Sequence, residues 1–188
     1  MMSVDALDVV LAVPVLAAGI LVLLPGYVIS SRLNVLASFV TLLAAVMLLF
    51  ARPNPGPYLQ IDDLNVVFIV LNTFVAFTTS VFSASYIAHE LEIGRLTTGY
   101  LRFYHAMYQV MMFGMNLALV ANSIGLMWVA VELATLTTVL MVGIYRTPEA
   151  LEAAWKYFIL GSVGIALALF GTILVYMAAR PVVGRRHL

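Results

Sequence analysis

The sequence contains no cysteine, and this absence excludes disulfide bonds, thiolate metal sites and cysteine catalysis. Charged side chains are also scarce: they make up 10% of the 188 residues, whereas soluble domains carry about 25%. Nine basic residues balance nine acidic ones, so net charge gives no attraction for nucleic acid, and we expect no nucleic-acid partner. Because 64% of the residues are hydrophobic, the composition predicts an integral membrane protein surrounded by the lipid bilayer.

The few charges divide the chain into apolar runs, each long enough for the roughly 20 residues of a membrane crossing. Residues 103–145 would be about 64 Å long as one helix, twice the hydrocarbon thickness of about 30 Å, so we expect a turn at 121–125. The sequence predicts an all-α fold, a polytopic transmembrane bundle. Its six crossings are predicted at about 9–30, 33–51, 64–88, 104–121, 125–145 and 154–179.

Two connecting segments have readable chemistry. Thr147 fits a helix N-cap and Pro148 a first helical position, so the sixth helix is predicted to begin near Pro148. Within it, Glu152 and Lys156 form an i,i+4 pair in the favourable orientation. The polar segment 90–102 shows no ligand spacing and is predicted to be a connector at the membrane surface.

The distribution of lysine and arginine predicts the orientation in a bacterial or archaeal cytoplasmic (cell inner) membrane. The loops on the N-terminal side hold Arg52, and the opposite side holds five basic residues: Arg32, Arg95, Arg102, Arg146 and Lys156. Cytoplasmic loops are enriched in such residues, which predicts an N-terminus outside the cell. The arginines of the C-terminal tail run against this assignment: Arg180, Arg185 and Arg186.

Glu132 stands out because it is the only acid within any of the long apolar runs. A charged residue at the centre of a membrane helix costs about 2.5–3.5 kcal/mol on insertion scales, and leucine would avoid that cost. Such residues mark proton and ion pathways, which makes Glu132 a candidate intramembrane proton carrier. The alternative is that its carboxyl group hydrogen-bonds a neighbouring helix and only holds the packing.

Other polar side chains accompany Glu132. His105, Gln109 and Asn116 on the fourth crossing form either a polar path or interhelical glue, and His105 is equally well explained as an interfacial residue. Thr135 lies one turn beyond Glu132, where its hydroxyl either stabilises the acid or bonds its own backbone. Lys156 either snorkels to the interface or relays charge.

Motifs for reaction chemistry are absent from the sequence. It contains no phosphate loop, nucleophile triad, metal-ligand cluster or nucleotide fingerprint, and its three histidines are poorly spaced for haem. We therefore expect no catalytic residue, metal ligand or cofactor-binding residue on this chain. The kind of function that remains is the movement of charge across the membrane.

The region from 104 to 179 carries three linked motifs: WVAVE ending at Glu132, RTPE starting at Arg146, and AAWKYF containing Lys156. In this order they resemble the fifth and sixth helices of the antiporter-like family. That family comprises membrane subunits of respiratory complex I (the NADH dehydrogenase), Mrp antiporters and group 4 hydrogenases. Within it, the pattern is most similar to the component F subunits of hydrogenase-4.

The resemblance implies that Glu132 is the family's proton-transferring glutamate and that Lys156 matches a lysine that recurs at the start of the family's sixth helix. It also implies a truncated form of the family's fourteen-helix fold. Residues 1–103 would then hold three N-terminal helices with a connecting loop, and residues 104–188 would begin the proton-translocating domain. Other membrane subunits of a hydrogenase or complex I-like assembly are the implied partners.

Three functions are consistent with these features. The first is a proton-translocating subunit, or its N-terminal part, of an oxidoreductase complex whose redox chemistry lies on other subunits. The second is a structural or assembly subunit without transport, and the third is a cation/proton antiporter-like carrier. Glu132 argues against the second function, and the expected lack of the family's later helices argues against the third.

Overall fold

A computed structural model of the chain describes residues 5–24, 26–51 and 56–184, with side chains described up to residue 179. Several arginines used to predict the orientation therefore cannot be placed: Arg52, Arg185 and Arg186 lie outside the described residues, as does the Arg180 side chain. The described chain is helical along almost its whole length, and the all-α prediction is confirmed.

Six α-helices follow one another along the chain. They are α1 (Ala6–Leu23), α2 (Tyr27–Met47), α3 (Asp63–Glu92), α4 (Thr98–Val120), α5 (Ile124–Val142) and α6 (Pro148–Gly184), with a 3-10 turn at Gly143–Tyr145 after α5. Within the described ranges, all but α4 are long and apolar enough to cross a membrane by length and composition. The polytopic bundle predicted from the sequence is therefore confirmed.

Polar side chains begin the four later helices. The backbone N–H groups of a first helical turn have no partner within the helix, and an N-cap oxygen accepts from one of them. The Asp62 carboxylate accepts from the Asn65 N–H at 2.7 Å at the start of α3. The Thr147 hydroxyl likewise accepts from the Ala150 N–H at 3.2 Å, so the predicted start of α6 is confirmed.

The predicted boundary between the first two crossings is wrong. It was placed around Arg32, but α1 ends at Leu23 and α2 begins at Tyr27, so Arg32 lies within α2. Gly26 lies within the break, and its φ of 109° is a conformation that favours glycine. Arg32 is exposed on the outside of the bundle, where a long basic side chain can reach the interface without ending the helix.

The segment 90–102, predicted to be a connector, is also mostly helical. Helix α3 continues to Glu92 and α4 begins at Thr98, with the Thr97 hydroxyl at its N-cap, so residues 93–97 alone connect them. The polar residues of this segment do not mark a loop, because a helix that ends at a membrane surface can carry solvated polar side chains in its last turns.

Helix α4 lies at the centre of the bundle, packed against α1, α2, α3 and α5. This position explains its composition, because polar side chains in a membrane bundle are stable only when they face other helices. Helix α6 packs on α5 and on the 3-10 turn, and none of the residues in its most apolar segment is buried. The predicted division of the chain at residue 103 stays a prediction.

Apolar clusters close the bundle at both ends. One is built from the start of α1, the end of α2 and the start of α3, and includes Val10, Leu48 and Ile69. The other lies at the opposite end around Ile87, Leu101 and Ile144. Buried polar side chains in the middle of the bundle, such as Gln109 and Asn116, thus lie between two apolar clusters.

Candidate functional site

Glu132 lies near the middle of α5 and is partly buried. The hydroxyl of Ser162, on α6, donates a hydrogen bond to Glu132 Oε1 at 3.2 Å. The predicted intramembrane acid therefore faces the α5–α6 interface, with one carboxyl oxygen bonded across it. Sequence reasoning missed Ser162.

The two helices approach closely at this level because α6 has small residues there. A Cβ atom added to Gly161 would lie 3.3 Å from Thr135 Cγ2, a tight contact. Small residues at helix interfaces allow such approach in membranes, and serine can then bond across. The Gly161-Ser162 pair, with Gly164 following, was the available sequence signal for this contact.

The threonine hydroxyls of α5 bond their own helix. Thr135 Oγ1 donates to the Val131 carbonyl at 3.0 Å, and Thr138 Oγ1 donates to the Ala134 carbonyl at 2.8 Å. This is the backbone alternative of the two considered for Thr135. Thr135 and Thr138 also line a groove of about 560 Å³ that reaches Asn72 on α3.

Lys156 is exposed at the beginning of α6, where its ammonium group forms an ion pair with Glu152. The predicted i,i+4 pair is therefore present. Lys156 lies six residues before Ser162, about 9 Å along the helix and on a different face. The structure thus places Lys156 in the first turns of α6 and does not bring it to the Glu132–Ser162 contact.

The polar residues of α4 gather in the core of the bundle, away from the α5–α6 interface. Gln109 Nε2 donates to Asn34 Oδ1 at 2.8 Å and to Ser38 Oγ at 3.1 Å, both on α2. On α3, Asn72 Nδ2 donates to Asn116 Oδ1 at 2.9 Å. Gln109 and Asn116 thus form hydrogen bonds to neighbouring helices, as expected of side chains that hold the helices together.

His105 is fully buried rather than interfacial. Helix α4 begins two turns earlier, at Thr98, so His105 lies inside the bundle. Its ring packs edge-on against Tyr104 with the ring centroids 5.4 Å apart. Neither ring nitrogen has a hydrogen-bond partner among the described residues.

Sequence reasoning missed a second buried acid, Glu90, which is 4% exposed near the end of α3. It was grouped with the predicted connector because it adjoins other charges. In the part of the chain that the structure describes, no three His, Asp or Glu side chains come together in a way that could hold a metal ion.

These features define a class: a polytopic membrane protein with a polar interior and an intramembrane acid bonded between two helices. Residues 121–182 match the family model described as "NADH:quinone oxidoreductase/Mrp antiporter, TM". This region contains α5, the α5–α6 turn and almost all of α6, so it includes both Glu132 and Ser162.

Comparison with curated proteins agrees with this match. The chain is 61% identical over 168 residues to a hydrogenase-4 component F homolog of Methylacidiphilum infernorum, covering 88% of this chain and 35% of that protein. It is 26% identical over 171 residues to F(420)H(2) dehydrogenase subunit N of Methanosarcina mazei, covering 86% and 35%. It is 31% identical over 137 residues to NADH-quinone oxidoreductase subunit 14 of Thermus thermophilus, covering 72% and 28%.

The resemblance to the antiporter-like family of membrane subunits is therefore confirmed, by the model match over residues 121–182 and by a relative that is 61% identical. The chain spans about a third of the length of the curated relatives it matches over most of its own length.

Proposed function

We propose that this chain is part of a proton-translocating membrane subunit of a hydrogenase-4 or NADH-quinone oxidoreductase-like complex, with Glu132 as a proton carrier. The observation that carries the proposal is the contact between Glu132 and Ser162 in the middle of two membrane helices. One oxygen of the carboxyl group is bonded while the side chain stays partly exposed, which suits an acid that must gain and lose a proton.

The polar core supports the same proposal. Gln109 and Asn116 bond to α2 and α3, so the bundle holds polar groups at several depths. Thr135 and Asn72 line one groove, which lies between this core and α5. We propose that His105, Gln109, Asn116 and Thr135 contribute to a polar path that leads from the bundle core toward Glu132. The proposed partners are other membrane subunits of the complex, in the cytoplasmic membrane.

The function is tested by following the internal pH of vesicles that contain the complex with the full-length protein. Adding the electron donor should acidify the vesicle interior, with or without sodium ions, when the complex is inserted with its cytoplasmic face outward. Full electron transfer without acidification would indicate a structural subunit. Exchange of sodium for protons that needs no electron transfer would indicate an antiporter.

The proposed orientation places the N-terminus outside the cell and the α3–α4 and α5–α6 turns in the cytoplasm, because basic residues concentrate on that side. The chain contains no cysteine, so a single Thr98→Cys variant has one labelling site. We expect a membrane-impermeant maleimide to label it in inside-out vesicles and not in intact cells with permeabilised outer membranes. Labelling from the outside would reverse the orientation.

Lys156 is proposed to tune the charge near the end of the path, since Glu152 holds its ammonium group beside the start of α6. Exposed ion pairs contribute only about 0–1 kcal/mol to stability, so Lys156→Ala should assemble normally. We expect Lys156→Ala to lower the rate of proton pumping severalfold and Lys156→Arg to keep it. Pumping at the wild-type rate in Lys156→Ala would leave the lysine with a snorkelling role alone.

A further inference from the structure

Glu90 is the outermost polar residue on the inner face of α3. The buried residues of this helix recur every three or four positions and include Thr73, Ser80, Ser83 and Glu90. Residues with this spacing share one face of a helix. Polar side chains therefore recur among apolar ones along the inside of α3, and the last of them is a carboxyl group.

The end of α3 folds back over Glu90. Arg95 N–H donates to the Glu90 carbonyl at 3.0 Å and Gly94 N–H donates to the Leu91 carbonyl at 3.1 Å, the two bonds of a Schellman motif. Gly94 has a φ of 75°, the left-handed conformation that this motif requires. The motif usually brings an apolar residue over the last turn, but here it brings Arg95 over Glu90.

The resulting ion pair is long and involves one of the two carboxyl oxygens of Glu90. Arg95 Nη1 lies 3.6 Å from Glu90 Oε1, and the arginine side chain is 67% exposed. Glu90 Oε2 is buried and has no hydrogen-bond partner within the described residues. An ionised carboxylate can only accept hydrogen bonds, so a buried oxygen without a donor is costly. Binding a proton at Oε2 would remove that charge.

Water can approach the side chains around Glu90. Tyr86, Arg95 and Tyr145 line a surface pocket of about 440 Å³, together with Thr147 and Ala150 at the start of α6. The hydroxyls of Tyr86 and Tyr145 lie 3.2 Å apart, and Tyr145 interacts electrostatically with Glu90. The pocket wall therefore includes Arg95 and Tyr145, two groups that interact with the acid.

We propose that Glu90 is a second proton-binding acid of the transport path, loaded from this pocket through the tyrosine hydroxyls. The Tyr145 hydroxyl gives its proton to Oε2 as a hydronium ion in the pocket returns one to the tyrosine oxygen, so that water, a neutral tyrosine and a neutral carboxylic acid result while Arg95 keeps its charge. The step requires no oxidant or further reactant. The role in transport rests on the function proposed above, but proton binding at Glu90 does not.

Deeper polar groups continue from Glu90 along the same interface. Ser83 lies seven residues earlier on α3, about 10 Å further into the bundle. Its hydroxyl is 3.1 Å from that of Tyr104, and the Tyr104 ring contacts His105. Ser83 and Tyr104 thus lie between Glu90 and the buried histidine of α4, with the apolar Ile87 separating Ser83 from Glu90 on α3.

Chemical labelling tests proton binding without measuring transport. A protonated carboxyl group in apolar surroundings adds its O–H across a C=N bond of dicyclohexylcarbodiimide, and peptide mass spectrometry locates the adduct. In the complex containing the full-length protein, we expect an adduct on Glu90, and none on the exposed Glu92, which is the matched control. Labelling of Glu132 with no adduct on Glu90 would overturn the proposal.

The transport role is tested by Glu90→Gln, with Glu92→Gln as its control. We expect pumping per electron to fall about tenfold in an assembled Glu90→Gln complex, to recover partly in Glu90→Asp, and to stay normal in Glu92→Gln. Normal pumping by assembled Glu90→Gln would contradict the proposal. If that variant fails to assemble, Tyr145→Phe decides: slowed pumping supports the proposal and unchanged pumping overturns it. A wild-type complex that does not pump would instead refute the function proposed above. The Glu90 adduct would still test proton binding at Glu90.

Discussion

Replacing Glu132 by glutamine should stop proton pumping while leaving the protein assembled. Glutamine matches glutamate in size and can still accept the hydrogen bond from the Ser162 hydroxyl, so the contact between α5 and α6 is kept. It cannot bind and release a proton. Because a positioned proton-transfer group contributes about 10²–10⁴ in rate, we expect pumping per electron to fall at least a hundredfold.

The measurement compares acidification of vesicles with the rate of electron transfer in the same preparation. Assembly is checked separately by the amount of complex recovered from the membrane. Glu132→Asp should keep part of the pumping, since it keeps the acid but shortens its reach to Ser162. Ser162→Ala is the matched control for the hydrogen bond, and it should slow pumping without stopping it.

The outcome separates the two explanations of Glu132. If the carboxyl group only holds α5 against α6, the isosteric Glu132→Gln should pump normally and Ser162→Ala should weaken assembly. A fully pumping, assembled Glu132→Gln complex would therefore reduce Glu132 to a packing residue. The proposal that this chain carries protons through α5 would then fail.

Local chemistry made the start of α6 predictable from the sequence. Thr147 caps α6 with its own hydroxyl, so the signal and the contact lie within four residues of each other. The break after α1 was not predictable from charge. Arg32 suggested a boundary between two helices, but a basic residue on an exposed face need not end a helix. Gly26, whose positive φ lies between the two helices, was the better sequence signal for their boundary.

The partners of the polar side chains were not predictable in the same way. Glu132 is conspicuous in the sequence because of its cost in a membrane, but its contact with Ser162 depends on how α6 packs against α5. Likewise, Gln109 was recognised as polar, whereas its bond to Asn34 joins residues 75 positions apart. Such contacts are set by tertiary packing, which a single sequence does not record.

Glu90 shows the limit of using charge as a boundary marker. It lies in a short polar stretch, where solvation is the ordinary expectation for an acid. Only the fold-back at Gly94 and the packing of α3 against its neighbours bury it. Position along the sequence therefore identified the partly buried Glu132 and concealed the buried Glu90.

Replacing Gly114 by leucine should prevent the bundle from folding. Gly114 lies on α4 where that helix crosses α5, and a Cβ atom there would lie 3.0 Å from the Ala130 carbonyl oxygen and 3.1 Å from the Ala134 nitrogen. Both are backbone atoms, which cannot turn aside as a flexible side chain can. Even the alanine variant must push the helices apart, and overpacking of this kind costs about 1–3 kcal/mol.

A matched glycine lies in open surroundings on α6. An added Cβ at Gly164 meets no atom within 4 Å, so Gly164→Leu should leave the bundle intact. We expect the full-length Gly114→Leu protein to be lost from the membrane or recovered as aggregate, and Gly114→Ala to show a lower midpoint of thermal unfolding in detergent. Size-exclusion chromatography and thermal unfolding measure both effects. Equal recovery and equal midpoints for the Gly114 and Gly164 variants would show that α4 and α5 are not held at this close distance.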